Sequence, residues 1–339
     1  METNKIVRSI CYFTQSVSAQ VLDRLNTPRI RLKSNSFEIQ TLRICVPYTG
    51  FSEVEQAVGD STILTGVGNV EIDDIDRNMD SFYKSKNVYF HLDLSEADIN
   101  GRQADVLFRI IREHSDKTFH FAYVFGNPPS SPYFPSARFE TAGFSIGLQS
   151  TDLSYNRDSI EDWLEHMRLV WQEGYGMFKN ETDFLGIDSS IAPMYTDKSS
   201  FVSVLRTYGY GLSRAATSQV LVKITEFLKN KNPKPVGLCG LMLPALEDFE
   251  LAAEYEKGNF TIERNIFLSL QSGLGIDTYP VGVDEDPKRL VEILQLMQAL
   301  SHKYAKPLSA RFVSDGKAKI GEQTDFGNHY LKDVVVRAL

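Results

Sequence analysis

Along this chain, short apolar blocks alternate with longer stretches in which apolar residues return every three to four positions. The first block, residues 5–13 (KIVRSICYF), predicts a strand leading into a helix. Residues 38–46 alternate in their second half, with Leu42, Ile44 and Val46 on one face. The acidic, turn-rich stretch 60–87 predicts a surface loop or a short helix. A strand at 87–92, a helix around 102–115 and a strand at 118–125 follow. In that last strand Phe119, Phe121, Tyr123 and Phe125 share one face. His120 falls on the other with Ala122 and Val124, and reads as a satisfied core histidine rather than a ligand. The strand ends in 126–135 (GNPPSSPYFP), whose four prolines exclude regular structure. Such a loop serves either as a pocket wall or as a rigid surface turn.

The second half alternates more regularly. A helix at 158–178 precedes a strand at 184–192, and helices at 199–208 and 213–230 lead to a strand at 236–243. Helices at 246–257, 261–272 and 286–304 come before a last strand at 307–313. The helix 286–304 carries Pro287 in its first turn, where a missing N–H costs nothing, and a stripe of Leu290, Ile293, Leu294, Met297 and Leu300. Strands separated by helices predict parallel pairing through crossovers, hence an α/β fold. No low-complexity linker divides the chain. It reads as one domain, 1–339, with 60–87 and 150–157 as the places where a boundary would fall.

Composition narrows the partners. Hydrophobic residues make up 42% of the chain and charged ones 24%, enough apolar material for a packed core and too much for disorder. The formal charge is −8, and the nearest basic cluster, Arg24, Arg29, Arg31 and Lys33, reads as a solvated loop or helix end. No nucleic-acid partner is expected. Cys11, Cys45 and Cys239 are odd in number and far apart, which argues against a disulfide framework and a cysteine zinc site and fits a reducing, cytoplasmic setting. The first residues lack a leader pattern, and no run of about 18 apolar residues predicts a membrane span.

Candidate chemistry sits in four segments that end a strand with Gly, Pro and an acidic residue. They are 186–193 (GIDSSIAP), 237–248 (GLCGLMLPALED), 273–280 (GLGIDTYP) and 324–327 (TDFG). In parallel α/β proteins the carboxyl ends of strands define one functional face, so Asp188, Glu247, Asp277 and Asp325 are expected to approach one another. Clustered carboxylates either hold a hard cation such as Mg²⁺, Mn²⁺ or Ca²⁺, or push their pKa values apart to give an acid beside a base. The plainer alternative is helix capping, since Glu247 and Asp248 stand where a helix begins. Cys239, between glycines, is either an exposed thiol or a small buried one. The histidines show no metal-ligand spacing, and no dinucleotide, P-loop or hydrolase-elbow chemistry is expected.

Those four segments, with 124–135 (VFGNPPSSPYFP) and 306–311 (KPLSAR), make the chain resemble the family known as domain of unknown function 711. The resemblance covers nearly the whole chain and is thinnest in the first hundred residues. It implies a barrel similar to that of pyruvate formate-lyase and the glycyl radical enzymes, with half-barrels of parallel strands packed around a finger loop. It also implies that Asn127, Asp188, Glu247 and Asp277 line a shared crevice. Arg138 stands close to where relatives often carry His, which points to a more anionic ligand. Radical chemistry is not implied, because 326–330 (FGNHY) is a poor match to the radical glycine context. No glycyl radical is expected.

The expectation is therefore an enzyme for a polar or anionic small molecule. Asp188, Asp277 and Glu247 would be its catalytic groups, and Asp188 and Asp277 would be ligands if a divalent cation takes part. Asn127 would orient substrate, and Arg138 or Arg311 would pair with its charge. Two other readings stand beside it: a non-catalytic ligand sensor with the same pocket, and a homo-oligomer whose long helices form the subunit interface.

Overall fold

The computed structural model describes residues 5–59 and 62–339. The strands in chain order are β1 (Lys5–Phe13), β2 (Phe37–Ile39), β3 (Leu42–Cys45), β4 (Ile63–Asn69), β5 (Val88–Asp93), β6 (Phe121–Phe125), β7 (Gly143–Leu148), β8 (Phe184–Asp188), β9 (Gly275–Pro280) and β10 (Leu308–Val313). The first half of the chain builds one parallel group, β1-β3-β4-β5-β6, with the short β2 beside β1. The second half builds another: β7 lies parallel to β8, and β9 to β10. Residues 235–244 bridge these two pairs. Parallel contacts join Pro235 to Ile187, Leu241 to both Ile191 and Gly273, and Pro244 to Asp277.

The two groups meet antiparallel on both sides, β7 against β1 and β10 against β6. Through those isolated bridges the sheet comes round on itself as a barrel of two parallel halves running in opposite directions. Crossover helices cover the outside: α1 (Ala19–Ser34), α2 (Phe51–Val58), α3 (Ile72–Lys84), α4 (Gly101–Glu113), α5 (Ile160–Phe178), α6 (Phe201–Thr207), α7 (Leu212–Ala216), α8 (Val220–Asn230), α9 (Phe249–Glu256), α10 (Ile262–Gln271) and α11 (Pro287–Tyr304). No helix among the described residues is long and apolar enough to cross a membrane.

Alternation along the strands splits the core in two. Ile10 and Tyr12 of β1 face the large outer core with Ile44, Phe90 and Phe121, whereas Cys11 and Phe13 join Cys45, Tyr89, Phe134 and Ala137 in a small inner cluster. Phe134 and Ala137 come from the proline-rich loop after β6, whose residues 130–137 are all buried. That loop is the barrel's plug. Ser9 Oγ donates to the Pro132 carbonyl at 2.9 Å, Ser145 Oγ to the Ser130 carbonyl at 2.9 Å, and Ser131 Oγ to Asp188 at 2.8 Å. A His91 ring nitrogen bonds the Pro135 carbonyl at 2.9 Å. Small residues make room for it: a Cβ on Gly66 would stand 2.9 Å from the Phe134 ring, and one on Gly237 would stand 2.8 Å from the Ser131 backbone.

Several elements differ from the sequence reading, each for a physical reason. The acidic stretch 60–87 is β4 followed by α3; residues 60 and 61 lie outside the described residues, as do residues 1–4, where a leader would begin. Its aspartates Asp73 and Asp74 sit in the first turn of α3, where the helix dipole favours them, and Ile75, Met79, Phe82 and Tyr83 form the buried stripe. The strand at 118–125 begins only at Phe121, because Ser115–His120 wind into a 3₁₀ turn. Residues 236–243 form isolated bridges rather than a continuous ladder. Strand β7, with a glycine at its first position and another within it, carries too little of the β-branched, alternating signal to be read.

Candidate functional site

A cavity of about 320 Å³ opens above the plug, at the seam between the two half-barrels. The first half offers the amino-terminal ends of its strands there, through Arg8, Arg43, Leu64 and Tyr89; Glu247, Asp277 and Arg311 come from the second. Tyr133, Phe134 and Pro135 of the plug form one wall, and Tyr330 of the C-terminal segment contributes another.

Arg8 reaches this place through a β-bulge. Val7 pairs with Leu148 and Ser9 with Gly147, so Arg8 is the extra residue on β1. Arg8 and Ser9 both turn inward, between Val7 and Ile10 of the outer core. Arg43 is on β3 opposite Cys11, on the inward-facing side. Arg43 is the one polar residue of β3, and Arg8 stands in the mostly apolar β1; that interruption was the available signal for them, and the sequence reading passed over both.

Glu247 is the centre of the polar network. It is 5% exposed, and Arg311 Nη2 donates to its Oε1. Among the described residues its Oε2 has only a longer contact, 3.4 Å to Arg8 Nη2. Arg311 Nε donates to Asp277 Oδ1 at 2.7 Å, and its guanidinium lies 4.9 Å from the Phe119 ring centre. Burial pushes the Glu247 carboxyl above the usual carboxylate range, and neighbouring Asp277 adds to this while Arg311 pulls it down. Arg311 feels the same burial against its charge, yet Asp277 and Glu247 outweigh it and raise its pKa.

Arg43 is differently placed. It is 8% exposed and its Nε donates to Thr41 Oγ1 at 3.1 Å, while its guanidinium lies 5.0 Å from the centre of the Phe134 ring. Among the described residues no carboxylate pairs with it. Burial, helped by the positive charge of Arg8, lowers its pKa to about 10, which leaves it charged at neutral pH.

Three of the six residues singled out from sequence come together here: Glu247, Asp277 and Arg311. Asp188 does not line the cavity. It is fully buried, and its two oxygens accept from Ser131 Oγ, Leu238 N, Cys239 N, Ser190 N and Ser190 Oγ at 2.5–3.0 Å. Asn127 and Arg138 lie at the carboxyl end of the first half-barrel, where Arg138 Nε donates to the Asn127 carbonyl at 3.3 Å; neither lines the cavity. The reason is topological. The halves run antiparallel, so the end of β6 and the ends of β8 and β9 point to opposite mouths, which the sequence reading had placed on one face.

Asp325 is exposed and 3.9 Å from Lys317. Of the pair before α9, Asp248 is the cap, accepting from Glu250 N and Leu251 N, while Glu247 turns to the cavity. Cys239 is buried, and burial pushes its thiol up. Residues 143–147 (GFSIG) have the spacing of a hydrolase nucleophile elbow, but Ser145 lies in the middle of β7 with its hydroxyl committed to the plug. Among the described residues no three His, Cys, Asp or Glu side chains are grouped to hold a metal ion.

Residues 95–328, more than half of the chain, match the family model described as Uncharacterised ACR (DUF711). The comparison with curated proteins gave no match. Arg8, Arg43 and Tyr89 precede the matched stretch, so one wall of the cavity lies outside it.

Proposed function

We propose, for a chain that belongs to the DUF711 family, that the cavity is the active site of an enzyme acting on a polar or anionic small molecule, with Glu247 as its proton-transfer group. The observation that carries this reading is a buried carboxylate with one oxygen held by Arg311 and the other, at 3.4 Å from Arg8, still open to a ligand. Burial raises its pKa above the usual carboxylate range, the direction in which a carboxyl is tuned to accept and return a proton. Arg311 and Asp277 position it, and Arg8 supplies positive charge beside the reacting atoms. The volume suits a small metabolite, at the low end of ligand pockets. The two parallel halves around an inner loop also support a likeness to the glycyl radical enzyme barrel, as fold alone.

The test is consumption of small molecules from a defined pool of carboxylic and phosphorylated metabolites, followed by mass spectrometry. Wild type is expected to deplete at least one anionic compound. Glu247→Gln, which keeps shape and loses the titrating group, is expected to slow that depletion by about 10²–10⁴-fold, the usual contribution of a general acid or base. Equal depletion by the variant would remove Glu247 from the chemistry. A cavity that binds a compound and never transforms it would favour a ligand sensor instead.

A further inference from the structure

We propose that Arg43 is the docking point for the carboxylate of a small monocarboxylic, partly apolar ligand. This rests on reading the cavity as a substrate site and names the class of molecule it takes. A buried guanidinium without a counter-charge is costly, and proteins keep such a group where a ligand completes it. Arg43 meets that description. It is nine-tenths buried and lines the cavity, and among the described residues only its Nε is bonded, to Thr41. Among the described residues its two terminal nitrogens, the pair that binds a carboxylate side-on, form no hydrogen bond. The Phe134 ring lies against the guanidinium, its centre 5.0 Å away.

Charge chooses the ligand's valence. The lining carries three arginines, Arg8, Arg43 and Arg311, against two carboxylates, Glu247 and Asp277. Arg311 is neutralised by both acids, and Arg8 leans on Glu247. One negative charge balances what remains, which favours a monocarboxylate over a phosphate dianion. Beside polar Gln40, Thr41, Thr62, Ser136 and Ser309, the wall holds Leu64, Tyr89, Phe119, Phe134, Leu238 and Leu243, which are available to a hydrocarbon or aryl body.

Isothermal titration tests this with benzoate, phenylacetate and hexanoate, benzamide as the uncharged control, and inorganic phosphate as the rival oxyanion. Wild type is expected to bind benzoate saturably, and more tightly than phosphate, with benzamide tenfold or more weaker than benzoate. Arg43→Met should weaken monocarboxylate binding by at least tenfold and leave benzamide unchanged. Its unliganded melting temperature should be equal to or above wild type, since an unpaired buried charge has gone; an arginine kept only for structure would lower it. Arg43→Lys, which retains the charge and loses the side-on geometry, should fall between and covers the case in which Arg43→Met does not fold. Glu247→Gln should still bind, so failure here is separable from failure of the catalytic reading. Absence of monocarboxylate binding to wild type, tighter phosphate binding, or full affinity in Arg43→Met or Arg43→Lys would overturn the proposal.

Discussion

Replacing Asp188 with alanine is expected to destabilise the protein by at least about 3 kcal/mol, measured as the change in unfolding free energy in urea. Its carboxylate is the shared acceptor of three separate segments. It holds the plug through Ser131, its own strand end through Ser190, and the bridging segment through the backbone N–H groups of Leu238 and Cys239. Alanine leaves three backbone donors and two hydroxyls without that acceptor in a fully buried site, and each unsatisfied group costs about 1–3 kcal/mol. Some relief comes from water entering the vacated space, which is why the sum is not reached. Asp188→Asn keeps one good acceptor but turns an amide N–H toward existing donors, so a smaller loss in the same direction is expected. A cation-ligand role would behave oppositely, with little loss in metal-free protein and the whole effect in metal-loaded protein. Equal stabilities of wild type and Asp188→Ala without metal would refute the structural role.

Removing Arg311 should be comparably severe and, unlike the first case, depend on pH. Arg311→Met takes away the cation that both Glu247 and Asp277 contact and leaves two neighbouring carboxylates in a buried site. Breaking such a pair typically costs about 3–5 kcal/mol. Glu247 already has a raised folded pKa, from burial first, and Arg311 was the influence holding it down. The folded variant will therefore keep its Glu247 proton to higher pH than wild type does. For an acid raised on folding, stability is fully present below the unfolded value, about 4.3, and is lost as pH rises toward the folded one. The deficit of Arg311→Met against wild type should thus be smallest near pH 4 and grow toward neutrality. Urea titrations at several pH values check it; a deficit that does not change with pH would show that Glu247 stays ionised without its partner.

What could be read from the sequence depended on how local its cause was. Helices α4, α5, α10 and α11 were legible because their apolar stripes repeat within a few residues of one another, and Pro287 fell at the first position of α11, where the sequence placed it. The barrel's antiparallel seams are non-local. Nothing around Gly143–Leu148 says that β7 will pair with β1 in the opposite sense, and that one inversion sends Asn127 and Arg138 to the other mouth. Glu247, Asp277 and Arg311 came together because all three sit in the second half, where strand ends do share a direction. Asp188 shares it too, yet its place beside Gly237 and the plug, rather than in the cavity, depends on a loop threading the barrel. Arg8 and Arg43 were overlooked for the opposite reason. A lone arginine in an apolar strand reads as an edge or a solvated face unless both faces of that strand are buried, as they are in a closed barrel.

The central claim is that the seam between the half-barrels, above the plug, binds a small anion. The most direct measurement is a crystal structure of the wild-type protein soaked in benzoate. The expected result is one molecule in the cavity, its carboxylate side-on to the terminal nitrogens of Arg43 at about 2.7–2.9 Å and its ring against the apolar wall. Benzoate bound instead beside Arg138 at the opposite mouth, or a cavity left without it at saturating concentration, would contradict the account.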